Sequence, residues 1–147
     1  MLYHNIKKNE RLFIFGHRGA PQRHHENSLN SIKAAIQLGA HGVELDVQIT
    51  QDQQIILFHD DFIVSENHKK YFIHHTPYSK IKSLCAKKHI PHPALFKELV
   101  PIIISNPQIV FNIEIKSQRW NNFIILKSLI NTTPLENLKN QCIISSF

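Results

Sequence analysis

Apolar residues gather in five short runs along the chain, at 12–15, 42–47, 54–58, 109–115 and 141–145. Each is rich in Ile, Val, Leu or Phe and bounded by polar or Gly-containing stretches, the pattern of buried strands. Leu29, Ile32 and Ile36 follow at i, i+3 and i+7, one face of a helix. Asn27 or Ser28 can cap its start and Gly39 can end it. The spacing predicts a weaker helix over 94–104 and a better one over 120–131, where Phe123, Leu126, Leu129 and Ile130 are apolar. Strand and helix in alternation predict a parallel sheet with helices outside it. The link at 49–53 is too short for a crossover helix, which needs about ten residues or more, so the chain departs there from a regular βαβ unit. The stretch 61–93 is long, polar and rich in His and Lys. It reads as an insertion or lid-like loop outside the sheet.

Composition narrows the class. A chain of 147 residues can form one domain with its own core, and 42% hydrophobic with 19% charged residues is globular. No apolar run reaches the roughly 18 residues of a membrane span. Lys7, Lys8, Glu10 and Arg11 interrupt any signal-peptide core, so a cytoplasmic protein is expected. Cys85 and Cys142 match no metal or redox spacing and read as buried thiols. The net charge of +6 suits an anionic partner. The lysines are scattered, however, with no Arg-rich helix or aromatic-interleaved stripe, and nucleic-acid binding is not expected.

Polar residues beside the apolar runs carry the chemistry. His17 and Arg18 follow the first run. Glu44 and Asp46 lie two apart in the second and so share a face, as do Glu114 and Lys116 at the fourth, while His59 follows the third. In a parallel sheet such positions lie at the carboxyl ends of strands, where α/β proteins build active sites. Taken singly, a Glu-x-Asp pair is most often solvated, a Glu-x-Lys pair is a surface ion pair, and a strand-end His is structural. Their recurrence on four successive runs changes that weighting. Two carboxylates on a buried strand face need a partner, and with Glu114 they form an all-oxygen set suited to Mg²⁺ or Ca²⁺. His17 and His59 fit a general acid and base pair, and Arg18 and Lys116 fit a phosphate. Spacing by itself points to metal-dependent phosphate or sugar chemistry.

The ordered blocks are more specific. His17-Arg18-Gly19-Ala20, Glu26-Asn27-Ser28, residues 39–52 with Glu44-Leu45-Asp46-Val47, His59-Asp60 and Asn112-Ile113-Glu114-Ile115-Lys116 together resemble the glycerophosphodiester phosphodiesterase family. Residues 90–99 resemble the family more loosely. The resemblance implies a TIM-type (β/α) barrel of the phospholipase C-like phosphodiesterase class. It also implies hydrolysis of small glycerophosphodiesters to glycerol 3-phosphate and an alcohol through a cyclic phosphate. Glu44, Asp46 and Glu114 would ligate the metal, and His17 and His59 would act as acid and base. Arg18 and Lys116 would contact phosphate, with Glu26 and Asn27 shaping the same site.

Three departures bear on these expectations. Gln53 stands where the family usually has a turn Gly. Ser65-Glu66-Asn67 occupies the region of a usual Arg and Thr stretch. Residues 141–147 resemble the fifth of eight strands, so a partial catalytic domain over 1–147 is expected, with 61–93 inserted. An open parallel edge would favour self-association. The competing expectations are an inactive remnant or phosphate-binding module of the same fold, and a phospholipase acting on intact lipid.

Overall fold

β2 (Gly42–Ile49) is the strand around which the sheet is organised. In the computed structural model, which describes residues 12–116 and 122–146, β1 (Phe15–His17) lies parallel to its first half, with Phe15 opposite Gly42 and His17 opposite Glu44. The segment 1–11, on which the expectation about a leader rests, lies outside the described residues. So do Trp120, the expected start of a helix, and Phe147. The chain crosses from β1 to β2 through α1 (Leu29–Gln37). Ser28 caps that helix by accepting a hydrogen bond from the Ser31 N–H at 3.1 Å, and Gly39 takes the left-handed turn after it at φ +86°.

β3 (Ile55–Leu57) turns back on β2 as an antiparallel hairpin, which resolves the short link. With three residues pairing 47–49, it needs no crossover. Its side chains alternate. Ile55 and Leu57 enter the main core, whereas Ile56 faces a second cluster with Ile63, Ile73, Ile81, Leu84 and Cys85. That second cluster explains the insertion. The stretch expected as a loop carries a hairpin of β4 (Phe62–Val64) and β5 (Lys70–Phe72), a 3₁₀ turn at Ile73–His75 and α2 (Tyr78–Lys87). Its polar residues hid the few apolar ones that pack it onto the back of β3.

α3 (Phe96–Ser105) returns along the sheet and buries Phe96, Leu99, Val100 and Ile103, a single helix face. β6 (Val110–Ile115) then pairs parallel to β2 on its other side, with Asp46 opposite Glu114. α4 (Asn122–Thr132) and α5 (Leu135–Gln141) lead to β7 (Cys142–Ser145), parallel to β6. Among the described residues the sheet is therefore an open arc of four parallel strands, β1-β2-β6-β7, plus the antiparallel β3. Its helices supply the outer layer.

Two expectations shift in detail. The first strand, expected over 12–15, begins at Phe15 and runs into His17, because pairing with β2 starts there; Leu12 and Ile14 are exposed. In α4 the buried residues are Ile125 and Leu129, while Phe123, Leu126 and Ile130 face outward. Ile143 and Ile144 of β7 are also exposed, so the far end of the arc presents apolar surface. The two cysteines are free and buried in different clusters. Among the described residues no helix is long and apolar enough to cross a membrane.

Candidate metal centre

The turn after β1 is shaped by packing against α1. Gly19 takes φ +89°, and a Cβ there would lie 2.5 Å from the Ser31 backbone and hydroxyl, so only glycine fits. Ser31 Oγ accepts from the Ala20 N–H at 2.8 Å and donates to the Arg18 carbonyl at 2.9 Å, pinning the turn. This places His17 and Arg18 beside Glu44 of β2, and the Arg18 N–H donates to Glu44 Oε2 at 3.0 Å.

Glu44 and Asp46 share one face of β2, and the β2–β6 register sets Glu114 directly beside Asp46. One carboxylate oxygen from each of the three lies within 4.8 Å of the others. Asp46 is buried at 1% exposure, and Glu44 Oε1 is buried with no hydrogen-bond partner. Burial first, and then the Asp46 charge, push the Glu44 carboxyl above its ordinary range, against the Arg18 amide and His17, which act the other way. Three hard oxygen donors, one of them without a hydrogen-bond partner among the described residues, gathered in a half-dry site, form a set that could hold a divalent cation.

Cations of the chain itself ring the triad. Lys116 Nζ lies 2.6 Å from Glu114 and 3.7 Å from Asp46. Partial burial opposes its charge, but the Glu114 hydrogen bond and the Asp46 carboxylate outweigh it and raise the ammonium pKa. Arg18 Nε sits 3.3 Å from Asp46 Oδ2, and its Nη1 donates to both oxygens of Glu26 at 3.0 and 3.1 Å. Glu26 thus holds the guanidinium across the site. Asn27, 3% exposed, is joined to Asp46 through both ends of its amide.

The histidines approach from two sides. His17 is exposed, with Nε2 3.7 Å from Glu44 Oε2. His59 arrives on the hairpin, not at the end of a parallel strand as its position after an apolar run implied. Its Nδ1 contacts Asp60 Oδ1 at 2.9 Å, and its ring lines a cavity of about 560 Å³ together with Lys116, Asp60, Asp61, Phe62 and Val64. Sequence reasoning missed Gln48, which makes that approach possible. Its buried amide donates to the carbonyls of Phe58, His59 and Asp60 at 3.1, 3.0 and 2.8 Å. The signal was present, because Gln48 continues the face of Glu44 and Asp46 at period two. All nine expected site residues (His17, Arg18, Glu26, Asn27, Glu44, Asp46, His59, Glu114 and Lys116) lie on this end of the sheet or on the turns that adjoin it.

Comparison with known proteins bears on the fold and the family. The model of the glycerophosphoryl diester phosphodiesterase family matches residues 17–140. A glycerophosphodiester phosphodiesterase of Caldanaerobacter subterraneus is 31% identical over 141 residues, covering 91% of this chain and 57% of that protein. The crystal structure of a glycerophosphodiester phosphodiesterase from Thermotoga maritima superposes with a TM-score of 0.71 at 27% identity, over 94% of this chain and 55% of that one. A phosphodiesterase of Oleispira antarctica, solved with its product sn-glycerol-3-phosphate, shares the fold at a TM-score of 0.70 and 24% identity, over 92% of this chain and 57% of that one. The chain spans a little over half the length of the relatives it matches, and its open sheet is an arc of their TIM-type barrel. Because that family model matches residues 17–140, well over half of the chain, the chain belongs to the glycerophosphoryl diester phosphodiesterase family.

Proposed function

We propose that this chain carries the metal and histidine part of a glycerophosphodiester phosphodiesterase site, which hydrolyses glycerophosphodiesters to glycerol 3-phosphate and an alcohol. The observation that carries the reading is the convergence of Glu44, Asp46 and Glu114 around the unpaired Glu44 Oε1. These residues would hold Mg²⁺ or Ca²⁺, which when bound supplies Lewis-acid polarisation of a phosphate oxygen. That a relative was solved with sn-glycerol-3-phosphate supports the substrate class.

The chain's own groups divide the remaining work. Lys116 and Arg18, already aligned by Glu114, Asp46 and Glu26, neutralise charge on the phosphate oxygens. A hydroxyl oxygen attacks phosphorus and passes its proton to one imidazole. As the bond to the leaving alcohol breaks, the other imidazole donates a proton to that oxygen. Where the attacking hydroxyl is the substrate's own, water then attacks the cyclic phosphate with the two imidazoles in exchanged roles. The ring P–O bond breaks, and glycerol 3-phosphate leaves with both imidazoles restored. The Asp60 contact at Nδ1 leaves Nε2 of His59 for this exchange. Asn27 and Gln48 touch no reacting atom and act by positioning Asp46 and the His59 turn.

Calorimetric titration with Mg²⁺ and Ca²⁺, paired with glycerol 3-phosphate release from glycerophosphocholine, tests this reading. Binding at one site, lost in E44Q and D46N, with release abolished by chelator, is the expected result. Undiminished cation binding in both variants, or release indifferent to chelator, would sink it.

A further inference from the structure

The insertion carries charge that the metal centre does not use. Six lysines and two acids between 61 and 93 give that segment a net charge of +4, most of the chain's +6. Three of those lysines line one cavity. Lys80, Leu84, Lys87 and Lys88 stand at i, i+4, i+7 and i+8 of α2 and the residue that ends it, one stripe that faces the β4–β5 hairpin. Together with Ser65, Glu66, Asn67 and Tyr71 they line a cavity of about 290 Å³.

No ion pair among the described residues neutralises these three lysines, although one carboxylate stands in the lining. Among the described residues no carboxylate oxygen lies within ion-pair distance of Lys80, Lys87 or Lys88, and Glu66, the one acid in the lining, pairs with none of them. Lys88 Nζ is held toward the hairpin by the Val64 carbonyl at 3.3 Å, and Lys80 Nζ lies 5.5 Å from the Tyr71 ring centroid. Position on the helix accounts for only part of this. Lys87 and Lys88 suit a helix C-terminus, but Lys80 sits in the first turn, where the helix dipole disfavours a cation. Ser65 Oγ donates to Asn67 Oδ1, and among the described residues the Asn67 amide N–H groups and the Tyr71 hydroxyl have no protein partner.

We propose that this cavity is a second anion site, taking a phosphate-bearing group on Lys80, Lys87 and Lys88 with hydrogen bonds from Asn67 and Tyr71. A tetrahedral dianion would pair with the ammonium groups and accept hydrogen bonds from Asn67 and Tyr71 in place of solvent. The group is either a free phosphate monoester or a phosphate exposed on an anionic lipid surface. The site is separate from the acidic triad, and its occupancy needs no metal.

The test uses the full chain in EDTA, so the metal centre contributes nothing. Inorganic phosphate is titrated while amide resonances of Ser65, Asn67 and Tyr71 are followed by NMR. Separately, the protein is sedimented with vesicles of phosphatidylglycerol or of phosphatidylcholine. The variants are K80E and K82E, which change charge equally on one helix; Lys82 lies over the Tyr78 ring, away from the cavity lining. Saturable shifts that weaken about tenfold in K80E and hold in K82E support a soluble phosphate ligand. Pelleting with phosphatidylglycerol alone, lost in K80E and kept in K82E, supports a lipid phosphate. Equal loss in both variants, or neither shifts nor pelleting in the unmodified chain, overturns the proposal.

Discussion

Asn27 and Asp46 exchange two hydrogen bonds: Asn27 Oδ1 accepts from the Asp46 N–H at 3.0 Å, and Asn27 Nδ2 donates to Asp46 Oδ2 at 2.8 Å. The place in the sheet gives this its importance. β1 pairs with β2 as far as Glu44, and β3 pairs from Val47 onward. The Asp46 N–H falls in the gap between them, and the Asn27 side chain stands in for the missing strand. Asn27 also adopts φ +55°, which asparagine tolerates better than most residues. Asn27→Ala leaves a buried N–H and a buried carboxylate under-satisfied. It is expected to cost about 2–3 kcal/mol of stability by urea denaturation. Asn27→Asp should cost at least as much, because it sets a second carboxylate against the first.

Glu44 predicts a pH dependence whose sign can be worked out. Its folded pKa is raised by burial and by Asp46, so the folded state holds more protons than the unfolded state across that interval. Its contribution to stability is complete below the unfolded pKa near 4.5 and is lost as pH rises through the folded pKa. In EDTA, thermal melts should show this decline above pH 4.5. Glu44→Gln should remove the Glu44 share of it, and should also abolish cation binding.

Gln48 holds His59 through backbone carbonyls alone, so its effect should separate metal binding from turnover. Gln48→Ala is expected to leave cation affinity nearly unchanged while lowering product release about 10- to 100-fold, since sub-ångström placement of an acid or base governs its efficiency. Equal losses in both measurements would show that Gln48 supports the whole site and not the histidine alone.

The β2–β3 turn carries strain that a single substitution should relieve. Gln53 sits at φ +58°, a left-handed position that glycine takes without penalty. The turn is otherwise well bonded, with Thr50 Oγ1 accepting from the Gln54 N–H at 3.0 Å and Asp52 Oδ1 accepting from the Tyr78 N–H at 2.9 Å. Gln53→Gly should stabilise the protein by about 0.5–1 kcal/mol in chemical denaturation.

Both thiols should be inert while the chain is folded. Burial pushes Cys142 up to about 12 and raises Cys85 as well, so neither supplies thiolate near neutral pH. Iodoacetamide at pH 8 should label neither cysteine until denaturant is added, and mass spectrometry reads this directly.

The amino-acid sequence by itself determined the alternation of apolar runs and helical faces, and with it the parallel sheet. It also determined which chemistry-bearing residues stand on one strand face, because side-chain direction follows from period two along β2 and β6. The motif blocks carried the family. Tertiary structure alone decided how separate strands meet. The β2–β6 register that sets Asp46 beside Glu114 depends on pairing between residues 68 positions apart, and no local pattern encodes it. The same holds for the antiparallel return of β3, the Gln48 clamp that it needs, and the small core that folds 61–93. There, one residue, Ile56, is buried by neighbours from a hairpin and a helix that follow it. These features arise from burial shared between distant segments, which becomes defined only when the chain has closed on itself.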